Sequence, residues 1–281
     1  MKTTVIIATR NRPDSLRSLV ASLAPEVASG SREIIIAENG TPAPTQLAIE
    51  GLPLKHLHEP RPGKCRIQNR AIAQASGEIL VFLDDDLVVA PGYVEAVEVF
   101  FDQYREFAAM KGRILPAEDP EKKVGPMAAY LDLPIADHGE EVIEVRGVLG
   151  ASMAFRADAI KQVGPFDERL GPGAGGHEEE TEMSQRLRRA GFRIGYAPKA
   201  LVYHEVDPSR ANRERFIRIA RERGRCRMLH EKHSALDVIT KNAIAMIRLR
   251  ISQLTRAGLP RIAREERRLA VARGMFDGLG G

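Results

Sequence analysis

The chain opens with Thr3–Thr9, an unbroken run rich in Val and Ile, which predicts a strand buried on both faces. At Pro13-Asp14-Ser15 the period changes, and Leu16, Leu19, Val20 and Leu23 fall on one face of a helix. Glu33–Ala37 predicts a second strand, closed by the turn signal Asn39-Gly40-Thr41-Pro42. Leu52–Leu57 reads as a third strand and residues 64–75 as a helix stopped by Ser76-Gly77. Ile79–Leu83 is a fourth strand and ends abruptly in Asp84-Asp85-Asp86. Pro91 then starts a helix with Val94, Val97, Phe101 and Tyr104 inward. This order predicts an α/β fold, with a mostly parallel central sheet covered by helices on both faces. Ligands bind beyond the carboxyl ends of the strands in such sheets. The polar residues that follow each strand are therefore the first candidates for function.

Past residue 115 the pattern loosens. Residues 116–146 are rich in Pro, Asp and Glu and read as a long excursion. Val148–Phe155 predicts a strand, and Gly171 to Gly176 a mobile loop. Met183, Leu187 and Ala190 mark the inner face of a helix ended by Gly191, and Phe192–Tyr196 and Ala200–Tyr203 predict the last strands. From about residue 210 the pattern is helical and Arg-rich, fraying into Gly278–Gly281. There is no internal repeat. The expected organisation is one α/β domain over residues 1–206 and a basic helical extension over 207–281.

Composition adds three constraints. No apolar run approaches the ~18–20 residues of a membrane span, and Met1-Lys2-Thr3-Thr4 leads straight into a strand, which predicts no signal peptide. Cys65 and Cys226 match no metal spacing. Neither a disulfide framework nor a Cys-based zinc site is expected, and a reducing cytoplasm is the default compartment. Charge is unevenly spread: residues 205–281 carry 18 Lys+Arg against 9 Asp+Glu, a net of +9, while residues 1–204 carry 24 against 29. A basic tail favours something anionic, such as phosphate groups, a membrane surface or nucleic acid. The structural alternative is a solvated helical face.

The candidate chemistry sits at the predicted strand ends. Asp84, Asp85 and Asp86 repel one another, and a hard cation such as Mg²⁺ or Mn²⁺, bridging to substrate phosphates, offsets that repulsion. An acidic strand cap is the structural alternative. Ala8, Thr9, Arg10 and Arg12 lie between the first strand and first helix, where backbone N–H groups can hold an anion or a base edge. No Gly-x-Gly-x-x-Gly and no Gly-x4-Gly-Lys-Ser/Thr is present, which argues against a dinucleotide dehydrogenase and a P-loop NTPase. Glu38 could accept from a base N–H or simply belong to a turn. Four acids, Glu178, Glu179, Glu180 and Glu182, surround a predicted helix start, where the dipole stabilises them; one of them could equally serve as a general base. His204, at the last strand end, is a candidate metal ligand.

Taken in order, these segments resemble the family 2 glycosyltransferases of the GT-A fold, over residues 3 to about 206. Val5 to Arg12 resembles the opening strand and nucleotide loop. Ala37-Glu38-Asn39-Gly40-Thr41 is similar to the family's base-binding turn. Gly63-Lys64 with Asn69, and then Ala75 to Glu78, resembles the helix before the acidic strand. Leu83-Asp84-Asp85-Asp86 is similar to the Asp-x-Asp signature, and Gly164 to Glu168 with Glu179 to Leu187 and Gly191 is similar to the acceptor-side block. The resemblance implies transfer of a sugar from a nucleoside-diphosphate sugar, UDP-sugars first, to an acceptor hydroxyl with inversion. It implies that Asp84 and Asp85 contact the nucleotide, that Lys64 or Arg66 stabilises phosphate charge, and that Asp86 and His204 bind Mg²⁺ or Mn²⁺. The base would be Glu180, with Glu179 as the alternative. Two residues depart from the pattern: Glu180 stands where the family has Asp, and so does Glu38.

The acceptor stays open between a saccharide, a lipid-linked molecule and a small molecule. A nucleotidyltransferase would need a Gly-rich N-terminal signature, and residues 8–13 contain no glycine. A nucleic-acid-binding protein using Arg213 to Arg227 is the non-enzymatic alternative. It is poorly supplied with stacking surface, since aromatics are 5% and Trp is absent, and nucleic acid is not an expected partner. Ile244, Ile247, Ile251 and Leu254 recur at helical spacing among Arg248, Arg250 and Arg256. Such a helix can lie on the inner face of a membrane, pack on its own domain or join a homo-oligomer, and packing is the preferred reading.

Overall fold

Strand β1 (Thr3–Thr9) is buried at every position. Its alternation serves two cores: Val5 and Ile7 face one side of the sheet, Ile6 the other. The computed structural model describes residues 2–27, 32–44, 52 and 54–280. Within them follow α1 (Pro13–Val27), β2 (Arg32–Asn39), β3 (Leu54–Glu59), α2 (Lys64–Gln74), β4 (Ile79–Asp84), β5 (Leu87–Val89), α3 (Tyr93–Gln103) and β6 (Phe107–Pro116). Then come α4 (Pro120–Val124), β7 (Ile143–Glu144), β8 (Ser152–Arg156), α5 (Ala157–Val163), α6 (Glu179–Arg189), β9 (Arg193–His204), α7 (Arg213–His230), α8 (Ala235–Leu254) and α9 (Leu259–Asp277). Part of the expected third strand, residue 53, lies outside the described residues, as does residue 281 of the expected frayed end.

The first of two units comprises Met1–Ala117, Pro134–Ala174 and Glu179–Glu205. Its sheet runs in the order β3-β2-β1-β4-β8-β6-β9-β5, with β7 beside β9. Strands β1, β2, β3, β4, β6 and β9 share one direction, while β5, β7 and β8 oppose it. Helices α1 and α3 cover the Val5 face through Leu16, Leu19, Val94 and Phe101. Helices α2, α5 and α6 cover the other through Ile67, Ile160 and Leu187. Fully burying one such side chain contributes roughly 1.5–3 kcal/mol.

Three strand expectations change. The strand expected at Val148–Phe155 begins only at Ser152, because Ser152 N–H turns back to the Leu149 carbonyl. The two expected last strands are one, β9; its register against β6 jumps from Ala197 to Leu201, so Pro198, with no N–H to donate, sits in a bulge. Strands β5, β6 and β7 answer to no strand expected from the pattern, β6 because Ala108, Ala109 and Gly112 are weak strand formers that pairing to β8 and β9 holds in place.

The second unit gathers Glu118–Leu133, Gly175–Glu178 and Val206–Gly281. Helix α7 starts at an Asn212 cap and α8 at a Ser234 cap, each side chain accepting from a backbone N–H of the first turn. Tyr130 packs edge-on against Phe216, with ring centroids 5.7 Å apart, and its hydroxyl donates to Glu266 at 2.9 Å. Arg213 clamps the same carboxylate, and Arg223 makes two bonds to Asp132 at 2.9 and 2.7 Å. Gly224 and Gly274 let α7 and α9 meet backbone to backbone; a Cβ at Gly224 would run into the Val271 carbonyl, and one at Gly274 into the Arg221 carbonyl.

Candidate active site

Because β1, β2, β4 and β9 run the same way, Thr9, Glu38, Asp84 and His204 all arrive at one edge of the sheet. Ala8 pairs with Asp84 across the β1–β4 register. Thr9 donates to Asp85 Oδ2 at 2.7 Å, and Arg12 Nη1 donates to Asp85 at 2.9 Å and to Asp86 at 2.8 Å. One guanidinium thus ties the helix start to two of the three aspartates. Burial pushes the Asp85 carboxyl above its ordinary range, against the bonds from Thr9 and Arg12.

Lys64 is the first residue of α2, and its ammonium donates to Asp84 Oδ1 at 2.6 Å and stands 3.6 Å from Glu179 Oε1. Burial opposes the charge, but Asp84 and Glu179 outweigh it and hold the Lys64 pKa above the ordinary lysine value. Glu179 opens α6 and is buried. Burial first, then the neighbouring Glu180, push its pKa up, against Lys64; the protonated form hydrogen-bonds Glu180. Glu180 is half-buried, so it keeps a face to solvent. The loop at 171–174 closes against this corner: Lys64 N–H donates to the Pro172 carbonyl at 2.9 Å. Gly171 (φ +80°) and Gly173 (φ +86°) lie against Cys65 and the Gly63 backbone, and a Cβ at Gly173 would come within 2.6 Å of the Gly63 nitrogen.

The Asp86–His204 contact tests whether these residues suit a divalent metal. His204 Nδ1 lies 2.8 Å from the Glu205 carbonyl, which can only accept, so Nδ1 carries the proton. In the neutral ring, Nε2 then aims a lone pair at Asp86 Oδ1, 3.3 Å away. Two acceptors that close call for a shared proton or a cation between them. Donors ~3 Å apart fit adjacent corners of an octahedron with ~2.1 Å bonds, and the oxygen–imidazole pair suits Mg²⁺ or Mn²⁺. Among the described residues no group of three His, Cys, Asp or Glu side chains is arranged to hold a metal, so the remaining ligands would come from substrate or water.

Other expected residues have different surroundings. Glu38 is fully buried; one carboxylate oxygen is 3.0 Å from His56 Nε2 and the other accepts from Thr41. His58 and Thr41 complete this group, with 3.0 Å between the imidazole and the hydroxyl. The signal in the chain was the alternation of His56 and His58 on β3. Asn69 does not join the acids: its amide bonds both backbone groups of Phe166 at 2.9 Å. Arg10 is exposed and lies across Gly40, where a Cβ would come within 2.8 Å of its Nε.

A sequence profile described as Glycosyl transferase family 2 matches residues 4–163. The chain belongs to this family. The matched span contains the Asp84–Asp86 run and Lys64, while Glu179, Glu180 and His204 lie beyond it. This family 2 chain is 29% identical over 214 residues to the pre-mycofactocin glycosyltransferase of Mycobacterium tuberculosis, covering 72% of this chain and 42% of that protein. It therefore spans less than half the length of that curated relative. Its fold is similar to that of mannosyltransferase PcManGT from Pyrobaculum calidifontis, solved in complex with GDP-Man and Mn²⁺, with a TM-score of 0.60, 16% identity and coverage of 99% and 87%. S. aureus TarS 1–349 in complex with UDP-GlcNAc is also similar, with a TM-score of 0.56, 18% identity and coverage of 90% and 73%. The fold of this family 2 chain is GT-A: a central sheet with helices on both faces.

Proposed function

We propose that this chain transfers a glycosyl group from a nucleoside-diphosphate sugar to an acceptor hydroxyl, with inversion. The observation that carries the reading is the Asp86–His204 acceptor pair, 3.3 Å apart at the strand edge. Asp86 and His204 would hold Mg²⁺ or Mn²⁺, which when bound neutralises charge on the departing diphosphate. Asp84 faces the nucleotide, and Lys64 meets phosphate charge beside it. Glu180 takes the acceptor hydroxyl proton while that oxygen attacks the anomeric carbon. The bond from that carbon to the diphosphate breaks, and the nucleoside diphosphate leaves with the electron pair. Glu180 is chosen over Glu179 because it keeps an exposed face, whereas Glu179 is buried and protonated above the ordinary carboxylate range. The structural neighbours were solved with GDP-Man and with UDP-GlcNAc, so both nucleotides belong in the test.

Calorimetric titration with UDP, GDP and CDP, each with and without Mn²⁺, tests this reading. Metal-dependent binding of one nucleotide is expected, UDP first, and its loss in Asp86→Ala. Metal-independent binding, or binding unchanged in Asp86→Ala, would refute the metal assignment.

A further inference from the structure

Helices α7, α8 and α9 enclose a groove of about 610 Å³ in the second unit. Its floor is apolar, with Ala245, Val271, Ala272 and Met275. Its walls carry Arg227, Lys241, Arg248, Arg264, Arg267 and Arg268 against the one carboxylate of Glu231. Arg227 pairs with Glu178, Lys241 with Asp237 and Arg268 with Glu265. Arg248 and Arg264 have no acidic partner among the described residues. Arg267 stands 3.8 Å from Asp132; burial and the crowding guanidiniums of Arg223 and Arg227 push its pKa below the ordinary arginine value. The groove therefore holds positive charge that this chain does not neutralise.

The helix that forms one wall is apolar on its outer side as well. Val238, Ala245 and Ser252 form the buried seam of α8, at heptad spacing. Around the rest of the helix, Leu236, Ile239, Ile247, Ile251 and Leu254 are exposed, Leu236 at 75% and Leu254 at 82%. Ile244 belongs both to this ridge and to the groove, so the two surfaces are continuous. An exposed apolar ridge of this size marks an interaction surface. No helix among the described residues is long and apolar enough to cross a membrane.

We propose that the α8 ridge and the cationic groove beside it dock on an anionic phospholipid surface, the ridge entering the interface and the groove receiving a phosphate headgroup. Charge selects this occupant. A second copy of the chain seated on the ridge would bring two equally cationic grooves together. An anionic bilayer instead complements both features, with basic groups at the headgroups and Ile and Leu side chains below them.

The test is sedimentation of the full chain with phosphatidylcholine vesicles and with vesicles containing phosphatidylglycerol. Binding is expected only to the anionic vesicles. Removing two groove charges, Arg248→Gln with Arg264→Gln, should weaken it about thirtyfold. Ile247→Ser with Leu254→Ser should weaken it at least tenfold. All four side chains lie at the surface, and unchanged thermal melts and nucleotide titrations would confirm that the variants are folded. Equal binding to both vesicle types, or none, would overturn the proposal. So would binding abolished by millimolar inorganic phosphate yet indifferent to the Ile247 and Leu254 changes, which would make the groove a site for free phosphate. A dimer in sedimentation velocity that Ile247→Ser with Leu254→Ser dissolves, without vesicle binding, would assign the ridge to self-association.

Discussion

Lys64 places its charge between Asp84, at a strand end, and Glu179, at a helix start more than a hundred residues later. Around that contact the proposed mechanism gives the two glutamates different roles. Gln at position 179 reproduces the neutral form that burial already favours there, so Glu179→Gln should cost less than tenfold in turnover. Glu180→Gln removes the proposed base and should lower turnover by about 10² or more with nucleotide affinity unchanged. Steady-state rates of the two variants decide this, and the reverse ranking would move the base to Glu179. The pH dependence follows from the same burial. A carboxyl whose pKa is raised by folding is still protonated in the native state when it has ionised in the unfolded one. Its contribution to stability therefore falls as pH rises through the window between those two values. Thermal melts between about pH 5 and about pH 9 should show this decline in the native chain and less of it in Glu179→Gln. The places of the acids, Lys64 and His204 at strand ends and helix starts were legible from the pattern of the chain, while their roles belong to the proposal. The Glu38–His56–Thr41 group was not, since the alternation of His56 and His58 on β3 does not say which groups of β2 and its turn they meet. Nor was the backbone clamp made by Asn69, whose partner lies 97 residues away.

At the scale of elements, legibility follows burial pattern. Strands β1, β2 and β4 and helices α1 to α3 repeat their apolar residues cleanly and stand where the period puts them. Strand β6 has little strand propensity of its own and depends on neighbours supplied by residues 152–156 and 193–204. Gly112 shows how tight that insertion is, for a Cβ there would collide with the Ser152 hydroxyl. The α7–α9 crossing depends on the same device. Gly224→Ala must push the helices apart against the Val271 carbonyl. It should destabilise the helical unit by about 1–3 kcal/mol, read as a lowered midpoint in a denaturant melt followed by far-UV circular dichroism. An unchanged midpoint would mean that the helices do not pack this closely.

For the molecule as a whole, the helical unit is more than a tail. It takes up residues 118–133, which the chain lays down long before the helices. Deleting 240–281 removes Ala263 and Glu266 from around Tyr130 and Phe216. The expected result is that residues 118–133 and α7 become sensitive to limited proteolysis. Protection unchanged at 118–133 would show that the segment is held by other contacts.

This interleaving has a consequence during synthesis. Tyr130 is made 136 residues before Glu266, the group its hydroxyl binds. At roughly 5–20 residues per second, that is a delay of roughly 7 to 27 seconds on the ribosome. For the first part of it the Tyr130 ring and the Asp132 carboxylate wait without α7, which brings Phe216 and Arg223 to them, and for the rest Tyr130 waits for Glu266 on α9. Completion of the helical unit therefore waits for α9 to be made, rather than for emergence of the first-made strands.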